Sequence, residues 1–230
     1  MISEKNDKDY TIFERMVMQF LKEEEFRILK KASVLLNFGK GETILKQGNR
    51  PTHIAFLQSG IAKFSFNSDT NDRTIILTLV SAPKILGGAN LFYKDNNLFS
   101  IVAVEKSEVI LIESDVLMEL MKNNGVFSLA LFQLVSDMFK RAILNFISVA
   151  NKQKEGRIAD VILYLSGEIY FNTTFNLSLT RKELAEFACC SVENVIMTLS
   201  RWQHEKIIVI TGKQIEITDM KKLQQISKIG

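Results

Sequence analysis

The chain has 230 residues and carries 29 Lys and Arg against 26 Asp and Glu, a net charge of +3. A chain of this length builds one or two domains whose cores need neither metals nor disulfides, and 47% hydrophobic with 24% charged residues is the balance of a soluble globular protein. No apolar run nears the roughly 20 residues of a membrane span, and the polar start MISEKNDKDY lacks the apolar core of a secretory signal. A cytoplasmic protein with no membrane partner is expected. The only cysteines, Cys189 and Cys190, are adjacent, which disfavours a disulfide, and two are too few for a zinc or iron–sulfur site. No metal and no cofactor are therefore expected. Charge divides as +1 over residues 1–150 and +2 over 151–230, so any contact with nucleic acid must come from a local patch.

Residues 10–33 read as helical, with Phe13, Val17, Phe20, Leu21, Phe26 and Leu29 on helical spacing. From Leu35 to about Ile112 the short runs ETILKQ, HIAFLQ, IAKFSF, RTIILTLV, SIVAVE and EVILIE alternate with Gly-, Asn- and Asp-containing turns. That is the pattern of an antiparallel sandwich or barrel, with NSDTNDR as its clearest hairpin loop. SDVLMELMKNN then predicts a short helix, and Phe127 to about Ala150 a long one. The long helix carries two apolar stripes: Leu131, Val135, Met138, Ala142, Phe146 and Val149, and beside them Phe132, Phe139, Ile143, Ile147 and Ala150. One stripe docks a helix on its own domain. The second predicts either a copy of the chain as partner or burial on most sides within one chain. NKQKEG (151–156) reads as a hinge, followed by the helix RIADVILYLSGEIY and an irregular FNTTFN.

The stretch Ser178–Ile210 reads as two short helices around a tight turn, followed by the strand–turn–strand TGKQIEIT, which is a winged helix-turn-helix. Thr180 and Glu183 have capping-box spacing. Leu184, Phe187 and Ala188 face inward, Ala185 allows close helix crossing, Cys189 and Cys190 form the turn, and Ser191 caps the second helix. Val195, Leu199 and Trp202 make its buried edge, which leaves Val192, Glu193, Asn194, Met197, Ser200 and Arg201 outward. Glu193 could accept from cytosine N4, and Asn194 could pair with adenine or hold a phosphate. Thr180 and Arg181 suit phosphate at a helix N-terminus, and Lys206 with Lys213, at the wing tip, suit the DNA backbone.

Over nearly its whole length the chain resembles the Crp/Fnr family of bacterial transcription regulators. The resemblance rests on KGETILKQGNRPTHIAFLQSGIAKFSF, on the long helix, on GRIADVILYLS and on LTRKELAEFACCSVENVIMTLSRW. It implies an α+β fold: an antiparallel, cyclic-nucleotide-binding-like β-roll with flanking helices over residues 1–125, a dimerisation helix over 126–150, and a winged helix-turn-helix over 151–230. It also implies a homodimer that binds a near-palindromic DNA operator and contacts RNA polymerase.

Departures from the family pattern concern the effector and the operator. Cyclic-AMP-binding members carry a cassette of the form F-G-E-L-(G/A)-L-…-R-(S/T)-A; here it runs ILGGAN, with Gly87, Gly88, Ala89 and Asn90, then LFYKDNNLFSI. The ribose-binding Glu falls on Gly88, the phosphate-binding Arg on Leu98 with Phe99 beside it, and the purine-facing Thr-Ser pair on Ala142 and Ile143. A phosphate buried without its arginine costs several kcal/mol, which argues against cyclic AMP. The N-terminal cysteine set of the family's oxygen sensors is absent as well. Two readings of the roll stand side by side: an apolar or amphiphilic small-molecule effector against Leu98, Phe99 and Ile143, or no ligand and a roll filled by its own side chains. In the recognition helix, S-R-E-T-V-x-R of many members becomes Ser191-Val192-Glu193-Asn194-Val195-Ile196-Met197. Each lost Arg–guanine contact is worth about 1–3 kcal/mol of discrimination, so an A·T-richer or otherwise different half-site is expected. The alternative is a degenerate sensor or protein-interaction module without specific DNA binding. No catalytic spacing of Ser, His, Asp or Cys occurs, so the chain is not expected to be an enzyme.

Overall fold

The computed structural model describes residues 10–68, 73–88 and 96–229. The chain divides into two compact units: residues up to Ala62 with Val80–Lys140, and Lys63–Leu79 with the residues from Arg141 on.

Two helices, α1 (Ile12–Met18) and α2 (Glu23–Lys31), replace the single helix expected over 10–33. Each has its own start. Thr11 and Glu14 form a capping box on α1, and Glu25 Oε2 accepts from the Lys22 amide at 2.8 Å before α2. Three glutamates, Glu23 to Glu25, then occupy the first turn of α2, where the helix dipole favours negative charge.

The strands are β1 (Ser33–Phe38), β2 (Thr43–Leu45), β3 (His53–Ser59), β4 (Ile61–Asn67), β5 (Thr74–Ser81), β6 (Lys84–Leu86), β7 (Ser100–Ala103) and β8 (Ser107–Glu113). They form sheets in the orders β1-β8-β3-β6 and β2-β7-β4-β5. β1 and β6 come from stretches not expected to be strands. The Ser68 amide donates to the Arg73 carbonyl at 2.9 Å beneath the hairpin loop; residues 69–72 of that loop lie outside the described residues. β3 is buried on both faces. Ile54 and Phe56 join Phe13, Val17, Leu29, Ile110, Ile112, Leu117, Phe127 and Leu131 in the core, with the Phe13 and Phe56 rings 4.9 Å apart.

After α3 (Ser114–Asn123), Asn124 secures the entry to the long helix α4 (Gly125–Asn151). Its Nδ2 donates to the Phe20 carbonyl at 2.9 Å, and its Oδ1 accepts from the Phe127 amide at 3.0 Å. One side of α4 is core, at Phe127 and Leu131. Along another, Leu129, Phe132, Phe139, Ile143 and Phe146 are exposed, at 60, 60, 65, 45 and 71%. Sequence spacing groups Phe146 with Leu131, yet it lies on the exposed side. At about 100° per residue, the separation overshoots whole turns by about 60°, which carries Phe146 off the buried face.

In the second unit only Lys152 and Gln153 separate α4 from α5 (Lys154–Tyr164). The stretch expected as a hinge, 151–156, is mostly helical, with Asn151 ending α4 and Gly156 buried inside α5. A π-type turn, Leu165–Ile169, extends α5. β9 (Thr174–Asn176), from the stretch expected to be irregular, forms a sheet of order β10-β11-β9 with β10 (Ile208–Thr211) and β11 (Gln214–Ile217). Between them lie α6 (Arg181–Ala188) and α7 (Val192–His204), and α8 (Met220–Ile229) follows. Trp202 is fully buried in this unit, as are Ala159, Ile162, Val195 and Leu223. Among the described residues no helix is long and apolar enough to cross a membrane.

Gly60 joins β3 to β4 at φ +94, and a Cβ built there would lie 2.3 Å from Ser107 Oγ and 2.8 Å from the Lys106 carbonyl oxygen. Gly60→Ala should therefore cost about 2–4 kcal/mol through backbone strain and overpacking, read as a lower urea midpoint at unchanged slope.

Candidate nucleic-acid interface

The helix-turn-helix is built from local hydrogen bonds legible in the sequence. Thr180 Oγ1 accepts from the Glu183 amide at 3.1 Å, and Glu183 Oε2 accepts from the Thr180 amide at 2.7 Å. The other Glu183 oxygen takes Lys63 Nζ at 2.6 Å. Burial pushes the Glu183 carboxyl up, but Lys63 and the Thr180 amide together hold it below the ordinary carboxylate range. Its stabilising contribution is therefore present above that range and fades as pH falls through its lowered value.

α6 ends at Cys189, whose φ of 49° and ψ of 49° are left-handed. The Cys190 amide donates to the Ala185 carbonyl at 3.0 Å. Burial pushes both thiols up, so they stay protonated near neutral pH. Ser191 Oγ then accepts from the Asn194 amide at 3.3 Å, which starts α7. Val195, Thr198, Leu199 and Trp202 hold α7 in the core.

Of the residues expected outward, Glu193, Met197, Ser200 and Arg201 are exposed, while Val192 and Asn194 are half-buried. Ile196, which the sequence reading did not single out, is also exposed, at 51%, beside Met197 at 70%. Its own amide and the Ser191 hydroxyl hold the Glu193 carboxyl below the ordinary range, so it is an ionised acceptor. Two of the polar candidates are already engaged within the chain. Asn194 Oδ1 accepts from Lys154 Nζ at 3.1 Å, and Arg201 Nη2 lies 2.5 Å from Glu155 Oε2.

Arg181 is half-buried, and burial pushes its guanidinium pKa down. It lines a cleft of about 550 Å³ with Ile196, Ser200, Gln203, His204 and Ile210. Gln203 and His204 reach this surface from the last turn of α7, where the sequence pattern gave no signal for them. Lys206, at φ 57°, and Lys213, in the turn between β10 and β11, are exposed. The start of α7 also borders a cavity of about 630 Å³ whose other wall includes Arg73, Thr74 and Ile75.

The effector positions lie elsewhere. A Cβ at Gly88 would sit 2.5 Å from Val135 Cγ2 on α4. Gly87 has a φ of 75°. Leu98 is 65% exposed and Phe99 half-buried. On α4, Ala142 is half-buried and Ile143 exposed. Ala89 and Asn90 lie outside the described residues.

Two domain families match the chain: the cyclic nucleotide-binding domain over residues 35–124 and the Crp-like helix-turn-helix domain over residues 156–226. The transcriptional activator protein Anr of Pseudomonas protegens is 25% identical over 184 residues, covering 78% of this chain and 75% of its own. The fumarate and nitrate reduction regulatory protein of Vibrio cholerae is 23% identical over 195 residues, covering 83% and 77%. In three dimensions the chain is similar to FixK2 from Bradyrhizobium japonicum, with a TM-score of 0.76 at 14% identity, over 84% of this chain and 96% of the other.

A left-handed residue with a side chain costs roughly 1–2 kcal/mol that glycine avoids, less what glycine loses in unfolded-chain entropy. Cys189→Gly should thus stabilise the second unit by about 0.5–1 kcal/mol, seen as a higher unfolding midpoint.

Proposed function

The chain belongs to the Crp/Fnr family of transcription regulators, and we propose that it acts as a homodimer whose paired α7 helices read a two-fold-related operator. That it is a DNA-binding regulator follows from the family. The observation that carries the finer reading is α7 itself, capped by Ser191, anchored by Trp202, followed by the β10–β11 wing, and presenting Glu193, Ile196 and Met197 to solvent. A helix so presented enters a major groove, and a dimer sets two of them about one DNA turn apart.

Support for the dimer comes from α4. Leu129, Phe132, Phe139, Ile143 and Phe146 follow at steps of three, seven, four and three, which fits a coiled-coil seam with Ser136 at the skipped position. A second copy of α4 covers this stripe, and a helix pair of this kind is a bistable element that a signal can bias. RNA polymerase is the further partner proposed for a regulator of this family.

The β-roll does not answer to cyclic AMP in this reading. The close approach of Val135 to Gly88 and a leucine, Leu98, at the position matching the phosphate arginine support this reading. With Val192 and Met197 in place of arginines, α7 reads thymine methyl groups, while Glu193 takes the amino group of a cytosine.

Selection of bound DNA from random oligonucleotides, with and without cell extract or cyclic AMP, tests this function. A palindromic site unaffected by cyclic AMP is expected; binding that is only salt-sensitive and sequence-independent would sink it. Glu193→Ala should relax preference at one base position by about 1–3 kcal/mol, whereas Lys213→Ala should weaken all sequences alike and lower the salt slope by about one. Phe139→Glu and Phe146→Glu should each convert the dimer to monomer in sedimentation velocity and abolish tight operator binding.

A further inference from the structure

The first turn of α5 reaches the reading face of α7 twice. Lys154 Nζ donates to Asn194 Oδ1 at 3.1 Å, and Glu155 Oε2 holds Arg201 Nη2 at 2.5 Å. Adjacent residues of one helix thereby take two side chains about two turns apart on the other. Glu205 adds a second carboxylate, 3.8 Å from Arg201 Nε. The Glu155 hydrogen bond also pushes the Arg201 guanidinium pKa up.

These contacts change what the two side chains offer to DNA. Bidentate reading of adenine needs the Asn carbonyl to accept from N6 while the Asn amino group donates to N7. An ammonium on Oδ1 puts a cation where the adenine amino group would have to donate. The second Oδ1 lone pair then lies beside a positive charge that repels the adenine amino donor, which leaves the Asn194 amino group as the favoured contact. Arg201 is similarly committed, because a guanidinium paired with a carboxylate has little net charge left for a phosphate.

We propose that Lys154 and Glu155 set the specificity and affinity of the DNA interface: Lys154 makes Asn194 a donor that reads acceptor edges of guanine or thymine, and Glu155 competes with a DNA phosphate for Arg201. This rests on α7 being the DNA-contacting helix. Lys154 is exposed and Glu155 only half-buried, so both positions accept substitution without disturbing the core.

The test uses the full chain as wild type, Lys154→Met, Glu155→Gln and the double variant Glu155→Gln/Arg201→Gln, with thermal melts as a check on folding. Site selection with Lys154→Met should shift one base position per half-site toward adenine by about tenfold and leave the others unchanged. Glu155→Gln should tighten binding to every sequence by about tenfold at low salt and steepen the salt slope by about one. The double variant should lose that gain. Selected sites identical to wild type for Lys154→Met, or wild-type affinity and slope for Glu155→Gln, overturn the inference while the function stands. A wild type that selects no site overturns both.

Discussion

The carboxylate of Asp160 is where the second unit is tied together. It accepts from Ser148 on α4, from Lys152 in the break between α4 and α5 at 2.8 Å, and from Ser227 on α8 at 2.5 Å. A carboxylate offers about four acceptor sites, and here three are taken by groups from different segments. With only Lys152 and Gln153 between the helices, these bonds fix the direction in which α5 leaves α4. Everything that α5 touches inherits that direction, including Asn194 and Arg201 through Lys154 and Glu155. Such a network also has a discrete way to fail, because losing one member leaves a part-buried charge short of a partner.

What could be read from the sequence was what local chemistry determines. Thr180 with Glu183, the turn at Cys189 and Cys190, the Ser191 cap and the Val195–Leu199–Trp202 edge all depend on residues a few positions apart, and all are found in the structure. The apolar stripe on α4 was equally legible until helical drift carried Phe146 to the other side. Less legible were features that pairing partners decide. β9 is three residues that look irregular until β11 supplies the ladder, with Phe175 opposite Ile215. Gly156 looks like a flexible joint, yet burial in α5 gives a residue without a side chain a packing role. The Lys154–Asn194 and Glu155–Arg201 contacts link residues about forty positions apart, and no spacing rule anticipates them.

The proposed reading face divides its labour. Its apolar members, Ile196 and Met197, are exposed, while polar Asn194 and Arg201 are held by the chain. Apolar contact to thymine methyl groups is short-ranged and indifferent to salt, whereas phosphate contacts steer at distance. A modest local charge therefore suits an interface that discriminates after contact rather than one that captures DNA from afar.

The phenylalanines along α4 also bear on how this protein persists in a cell. In the proposed dimer, pairing is what removes Phe132, Phe139 and Phe146, each at least 60% exposed on a single chain, from water. The free energy of folding is then coupled to association, and stability rises with protomer concentration by mass action. A fall in expression level would lower occupancy of the operator and shorten the protein's lifetime together, since isolated chains display three aromatic rings to proteases and chaperones. Abundance itself thus becomes an input to the switch.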